Sequence, residues 1–186
     1  VPYAGSSRMI WGAGLLAALS WNTMQSQTPA QTRPDAYTWN DRAQDPRFKA
    51  DILLVVAHPD DAVLATAYLA RAIYDEHKTV AVVYGTHGDA GNNDIGPEQA
   101  MAMGDIREIE AREGEGSLGI RNVWFLPGRD TLSQDVLYSL AHWGHGACLD
   151  QLVRIVRLTR PEVILTFLPD FTTGENHADH QAAGVL

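Results

Sequence analysis

The sequence predicts an α/β fold: a mostly parallel sheet covered by helices on both faces. Short, continuous, apolar runs recur at Ile52–Val56, Thr79–Tyr84, Asn122–Leu126 and Glu162–Leu168, as expected of strands buried on both sides. Helical patterns lie between them, and strand–helix alternation is the pattern of parallel βαβ units. Composition agrees, because 45% hydrophobic and 20% charged residues suit a packed core and not a disordered chain. With 186 residues there is room for one domain of ordinary size.

Taken in order, residues 1–30 read as a signal-peptide-like segment. Arg8 precedes the apolar stretch Met9–Leu19, and a small-residue exit follows near Thr28-Pro29-Ala30. That stretch falls short of the roughly 20 residues that cross a bilayer, so no membrane span is predicted; a helix packed on the domain is the other reading. Residues 31–49 are polar and punctuated by proline, a linker or arm. The domain proper spans 50–186. Its first strand, Ile52–Val56, leads to a helix over Ala62–Tyr74, apolar almost all round and hence buried. After the second strand comes a loop, Gly85–Gly96, rich in Gly, Asn and Asp. Pro97 should open a long helix reaching about Gly114, since proline suits a first turn. Beyond the third strand, Ala147–Thr159 forms a helix with Leu149, Leu152, Val153 and Val156 on one face. The fourth strand, Glu162–Leu168, is followed by a helix that has barely begun at Leu186, so the domain is expected to be truncated at its C-terminus.

Charge narrows the partners. Acidic residues number 23 against 14 basic ones, a net −9, which argues against nucleic acid or an anionic membrane surface. The single cysteine, Cys148, excludes an intrachain disulfide and a thiolate metal cluster, and reads as a small buried apolar residue. A metal here must be held by histidine and carboxylate.

Two motifs offer them. Ala57-His58-Pro59-Asp60-Asp61 directly follows the first strand, at the sheet edge where α/β folds bind ligands. One carboxylate there can hold a divalent metal while its neighbour moves a proton. Helix capping accounts for one acid, not for the second or for His58. His177-Ala178-Asp179-His180 follows the fourth strand on the same edge, and its histidines share a helix face. Together the motifs make a His/Asp/His metal site with an open position the economical account. The run Gly114-Glu115-Gly116-Ser117-Leu118-Gly119 imitates a dinucleotide fingerprint but ends a helix instead of following a strand; it reads as a helix stop. Arg107 and Glu110 have the spacing of an intrahelical ion pair. His87, His142 and His145 lack partners at ligand spacing.

These motifs, in this order, with the glycine-rich loop after the second strand, Arg107 with Glu110, and His180-Gln181-Ala182-Ala183-Gly184, resemble the PIG-L / LmbE-like family of zinc-dependent N-deacetylases. The similarity runs from about Lys49 onward, and Gly88–Asn92 with Ile95–Glu98 resembles the large exported bacterial members. The resemblance implies a Rossmann-like three-layer fold without a dinucleotide. It implies zinc, with iron(II) as another fit, on His58, Asp61 and His180. Asp60 would be the general base towards a metal-activated water. His177 would be acid and oxyanion stabiliser, with Asp179 orienting it. Asp89, Asn92 and Arg107 would contact an N-acetylated sugar or related amine, which loses its acetyl group. Export to the periplasm or exterior is also implied. Two departures stand out: Ala62 occupies or adjoins the position where the family usually has glutamate, and Ala178 stands where proline is usual. Ala62 is the one feature that favours the alternative, a non-catalytic carbohydrate-binding domain.

Overall fold

The computed structural model describes residues 45–170 and 177–186; the signal-like segment, residues 31–44 of the linker and residues 171–176 lie outside the described residues. Among the described residues four strands form one sheet: β1 (Ile52–Val56), β2 (Val80–Thr86), β3 (Asn122–Gly128) and β4 (Val163–Thr166). Their order is β3-β2-β1-β4, and every pair is parallel. Five α-helices accompany them: α1 (Thr66–Tyr74), α2 (Met101–Ser117), α3 (Val136–Trp143), α4 (His145–Thr159) and α5 (Ala178–Val185).

The alternation of β1 explains the layering. Leu53, Val55 and Ala57 face a core shared with Trp143, Cys148, Leu152, Ile155, Ala182 and Ala183, on the side of α3, α4 and α5. Ile52, Leu54 and Val56 face the opposite core, with Ala62, Leu69, Ala72, Tyr84 and Ala111, on the side of α1 and α2. Successive side chains of a strand point to opposite faces, so a strand covered on both sides must be apolar throughout. All five residues of β1 are buried. The three-layer α/β expectation is therefore met.

Several elements differ from expectation. The segment expected as one buried helix, Ala62–Tyr74, begins as a 3-10 turn over Asp61–Ala65. Only Leu69 and Ala72 of α1 are buried, while Val63 and Leu64 are 71% and 74% exposed. Their apolar character serves the rim of a pocket and not the core. Pro97 lies ahead of α2, which starts at Met101 after Ala100 adopts a positive φ of 51°, and continues through Gly114 and Gly116 before Gly119 turns the chain at φ 85°. β2 and β3 each run two residues further than their apolar runs, and β4 is shorter, an edge strand with Val163 and Ile164 exposed. The buried face of α4 is Cys148, Leu152, Ile155 and Thr159. α3 is an additional helix, capped at its start by Asp135, whose side chain accepts from Leu137 N and Tyr138 N, and stopped by Gly144 at φ 67°. Cys148 is buried, and that burial lifts its thiol to about 11.

Candidate metal centre

The strand order reverses between β1 and β4: the chain passes outward through β2 and β3, then returns to the other side of β1. At such a switch point the loops from neighbouring carboxyl ends part and leave a crevice. β1 delivers His58, Asp60 and Asp61 to it. The helix after β4 delivers His177, Asp179 and His180.

Three of these side chains converge. His58 Nδ1 lies 3.2 Å from His180 Nε2 and 3.4 Å from Asp61 Oδ2, and His180 Nε2 lies 3.1 Å from Asp61 Oδ1. A tetrahedral zinc with ligands about 2.0–2.1 Å away has ligand–ligand edges of about 3.3 Å, which matches this triangle. His58, Asp61 and His180 also form one of two His/carboxylate groups among the described residues that could hold a metal ion. The local fold holds the triangle in place. Asp61 Oδ2 accepts from His58 N at 2.7 Å, tying the turn to the strand end. The His180 ring stacks on Phe167 with centroids 4.4 Å apart.

α5 lies close against the sheet because the residues it packs there, Ala182, Ala183 and Gly184, are small. Ala178 and Ala182 are fully buried, and Ala183 nearly so. At Gly184 a Cβ would stand 2.4 Å from the Phe167 carbonyl oxygen. Any side chain there would push the helix, and His180 with it, away from the sheet.

The sequence did not single out Asp130, two residues past the end of β3. Its buried carboxylate lies 3.0 Å from His58 Nε2 and accepts from Ala90 N at 2.9 Å. Asp179 also approaches His58 Nε2, at 3.6 Å, while accepting from Thr131 N at 2.9 Å. A ligand imidazole whose far nitrogen meets a carboxylate is fixed in tautomer and orientation. The signal that could have found Asp130 was its place just past a third strand on the same sheet edge.

The electrostatics follow. Burial works against a charged His58, yet Asp130, Asp179 and Asp61 outweigh it and raise the ring to about 11. Burial likewise opposes ionisation of Asp61 and Asp179. The hydrogen bonds from His180 and His58 still hold Asp61 well below the usual carboxylate range, and His58, Ser139 and Thr131 draw Asp179 to about 2. The crevice is a largely buried cluster in which carboxylates surround the His58 imidazole.

The remaining expected residues divide. Asp60 Oδ1 accepts from Arg107 Nη2 at 2.6 Å, and Arg107 Nη1 donates to Gly88 O at 2.8 Å. Arg107 thus bridges to Asp60 across the site, in place of the expected pairing with Glu110 along its own helix. Both line a pocket of about 340 Å³ together with His58, Asp61, Asp130, His177 and His180. His177 caps α5, and its Nδ1 accepts from Asp179 N at 3.3 Å; burial and the charge on His58 lower its pKa. The Asp179 carboxylate reaches His58 and Thr131; its link to His177 is through the backbone. Asp89 sits outside the pocket, where Oδ1 accepts from Asp130 N at 3.3 Å. Asn92 is exposed on the same loop, and the loop residue that lines the pocket is Gly91. His87 pairs with Glu108, and His142 stacks on Tyr138.

Residues 53–186 match the model of the PIG-L family, described as GlcNAc-PI de-N-acetylase. The chain is 30% identical over 145 residues to a 1D-myo-inositol 2-acetamido-2-deoxy-alpha-D-glucopyranoside deacetylase of Thermobifida fusca (strain YX), covering 69% of this chain and 50% of that protein. A protein of the same name, numbered 1, from Catenulispora acidiphila is 32% identical over 145 residues, with coverage of 69% and 44%. Among solved structures, N,N'-diacetylchitobiose deacetylase from Pyrococcus horikoshii, complexed with its inhibitor MPG, aligns with a TM-score of 0.56 and 25% identity over 76% of this chain and 49% of that one. The conserved protein TT1542 from Thermus thermophilus aligns at 0.50 with 26% identity, covering 73% and 52%. The chain spans about half the length of the curated relatives it matches.

Proposed function

The chain belongs to the PIG-L family of GlcNAc-PI de-N-acetylases, and on that premise we propose that it is a metal-dependent hydrolase that removes the acetyl group from an N-acetylated amino sugar or related amine. The observation that carries this reading is the triangle His58–Asp61–His180, of zinc-site size, with Asp60 and His177 lining the same pocket. Two imidazoles and a carboxylate suit zinc, and iron(II) also fits that donor set. A divalent ion held there supplies Lewis acidity to a water and to the amide carbonyl.

The chain's own residues do the rest. Asp60 takes the proton of the attacking water. His177 presents Nε2 as its N–H donor, because Nδ1 already accepts from Asp179 N, and its lowered pKa keeps the ring neutral near pH 7. That N–H stabilises charge developing on the carbonyl oxygen. The proton gathered by Asp60 is delivered to the departing nitrogen, so water and amide become carboxylic acid and amine. Asp130 and Asp179 hold His58 in register, and Arg107 holds Asp60. What supports a catalytic over a merely binding role is that Asp60 and His177 line the same pocket as the triangle; Ala62, the residue behind the binding-module alternative, is packed in the core at 6% exposure and is not one of these groups. Export, as read from residues 1–30, belongs to the same proposal.

The experiment is acetate release from N-acetylglucosamine derivatives by the metal-loaded chain. Loss of release on chelation and recovery on adding zinc or iron(II) are expected; release that persists in chelator overturns the metal-dependent reading. A second expectation concerns Asp130. Asp130→Asn should weaken metal affinity about 10–100-fold, as loss of a partner behind a ligand histidine does. Unchanged affinity in a competition titration would remove Asp130 from that role.

A further inference from the structure

The metal pocket changes character from floor to mouth. His58 and Asp61 are buried at its floor, whereas Val63, Leu64 and Leu132, which line the same pocket, are among the exposed large apolar side chains of the described residues. Exposure on that scale puts them at the opening. Two separate segments supply them: Val63 and Leu64 lie on the turn that begins at Asp61, and Leu132 lies two residues past Asp130. A single exposed aliphatic residue is ordinary on any surface. Three on the lip of one pocket, from two segments that each carry a site residue, are a feature of that pocket.

The hydrolysis described above makes no use of them. Asp60 and Arg107, the charged pair on the same wall, hold each other, and Arg107 also donates to Gly88 O. A substrate whose acetamido group reaches the buried triangle extends outward through this opening, so its remainder meets the lip. Hydroxyl groups laid against aliphatic side chains lose water without gaining hydrogen-bond partners. A hydrocarbon group in the same place gains by leaving water.

We propose that the substrate carries a hydrocarbon group linked to its amino-sugar unit, and that Val63, Leu64 and Leu132 select that group over a polyol. The assignment of the reacting unit rests on the deacetylase reading. The acyl group of that reading is acetyl, which has only a methyl to offer, so the apolar group belongs to the part of the substrate that leaves as the amine. The three residues determine specificity and take no part in the chemistry.

Binding of the reaction's products, which do not turn over, tests this. The metal-loaded chain is titrated by calorimetry with methyl, hexyl and inositol glycosides of glucosamine. The hexyl glycoside should bind about 10–100-fold more tightly than the methyl one, since one methylene in a closed apolar pocket is worth about tenfold or more and several at an open rim are only partly withdrawn from water. The inositol glycoside should gain nothing over the methyl one. Leu64→Ser combined with Leu132→Ser should bring the hexyl-to-methyl ratio towards one; both side chains are exposed, and surface changes of this kind leave folding nearly unaffected. Leu137→Ser is the control, because Leu137 is 73% exposed against 77% for Leu132 but does not line this pocket, and it should keep the ratio. Equal binding of the hexyl and methyl glycosides, a preference for the inositol glycoside, a ratio that survives the double change, or one that falls as far in Leu137→Ser overturns the proposal. So does a gain confined to a methyl glycoside bearing an N-hexanoyl group, which would put the apolar group on the acyl side. Acetate release is measured separately, so failure of the apolar lip and failure of the deacetylase reading give different results.

Discussion

Asp60→Asn is expected to keep its metal and lose about 10²–10⁴-fold of its turnover, the usual contribution of a general base. Asparagine preserves the size of the side chain and removes its capacity to accept a proton. Asp60 is not one of the three groups that form the metal triangle, and its side chain is 76% exposed. Metal content should therefore stay at the parent level, and stability should move by no more than about 0.5 kcal/mol, as for most surface changes. Asp60 also holds Arg107, so part of the loss can enter through a displaced guanidinium. Arg107→Ala separates the two effects: if Asp60 acts as the base, removal of its holder costs less than removal of Asp60 itself. Turnover of Asp60→Asn within a few-fold of the parent would take Asp60 out of the base role.

The second large effect is on metal binding itself. His180→Ala removes one corner of the triangle and leaves His58 and Asp61 as two ligands, too few for a closed set of three protein donors. We expect about one divalent ion per chain in the parent and essentially none in this variant after the same dialysis. The stacking of the ring on Phe167 is lost as well, so folding is checked by circular dichroism. His142→Ala is the control, because His142 lies on α3, stacked on Tyr138, and is not part of the triangle. Equal metal content in the two variants would overturn the ligand assignment.

Much of this was legible in the sequence because burial on both faces leaves a simple record. β1 is apolar at all five positions, and the apolar run has the same bounds as the strand. The two motifs were legible because they directly follow strands, where fold geometry brings polar groups together. What was not legible depends on tertiary contact. Val63 and Leu64 look like core residues to periodicity, yet they rim a pocket. Arg107 has a partner three residues away in sequence, but the fold offers it Asp60, 47 residues distant, on a neighbouring loop. Asp130 stands beside no motif, and only the alignment of β3 with β2 carries it to His58. α3 leaves little trace in the sequence beyond Asp135 and Gly144 at its two ends; a helix of eight residues offers periodicity too few turns to show itself.

The small residues of α5 bear on how such chains vary. A histidine ligand can be moved out of reach without being touched, by enlarging an alanine or glycine that lets its helix lie close to the sheet. Ala182, Ala183 and Gly184 face that constraint, whereas Gln181, only half-buried, does not. The interval after His180 is thus as much a part of the site's signature as the histidine. A homologue with both histidines but a bulky residue at the position of Gly184 would carry the ligands' names without their spacing.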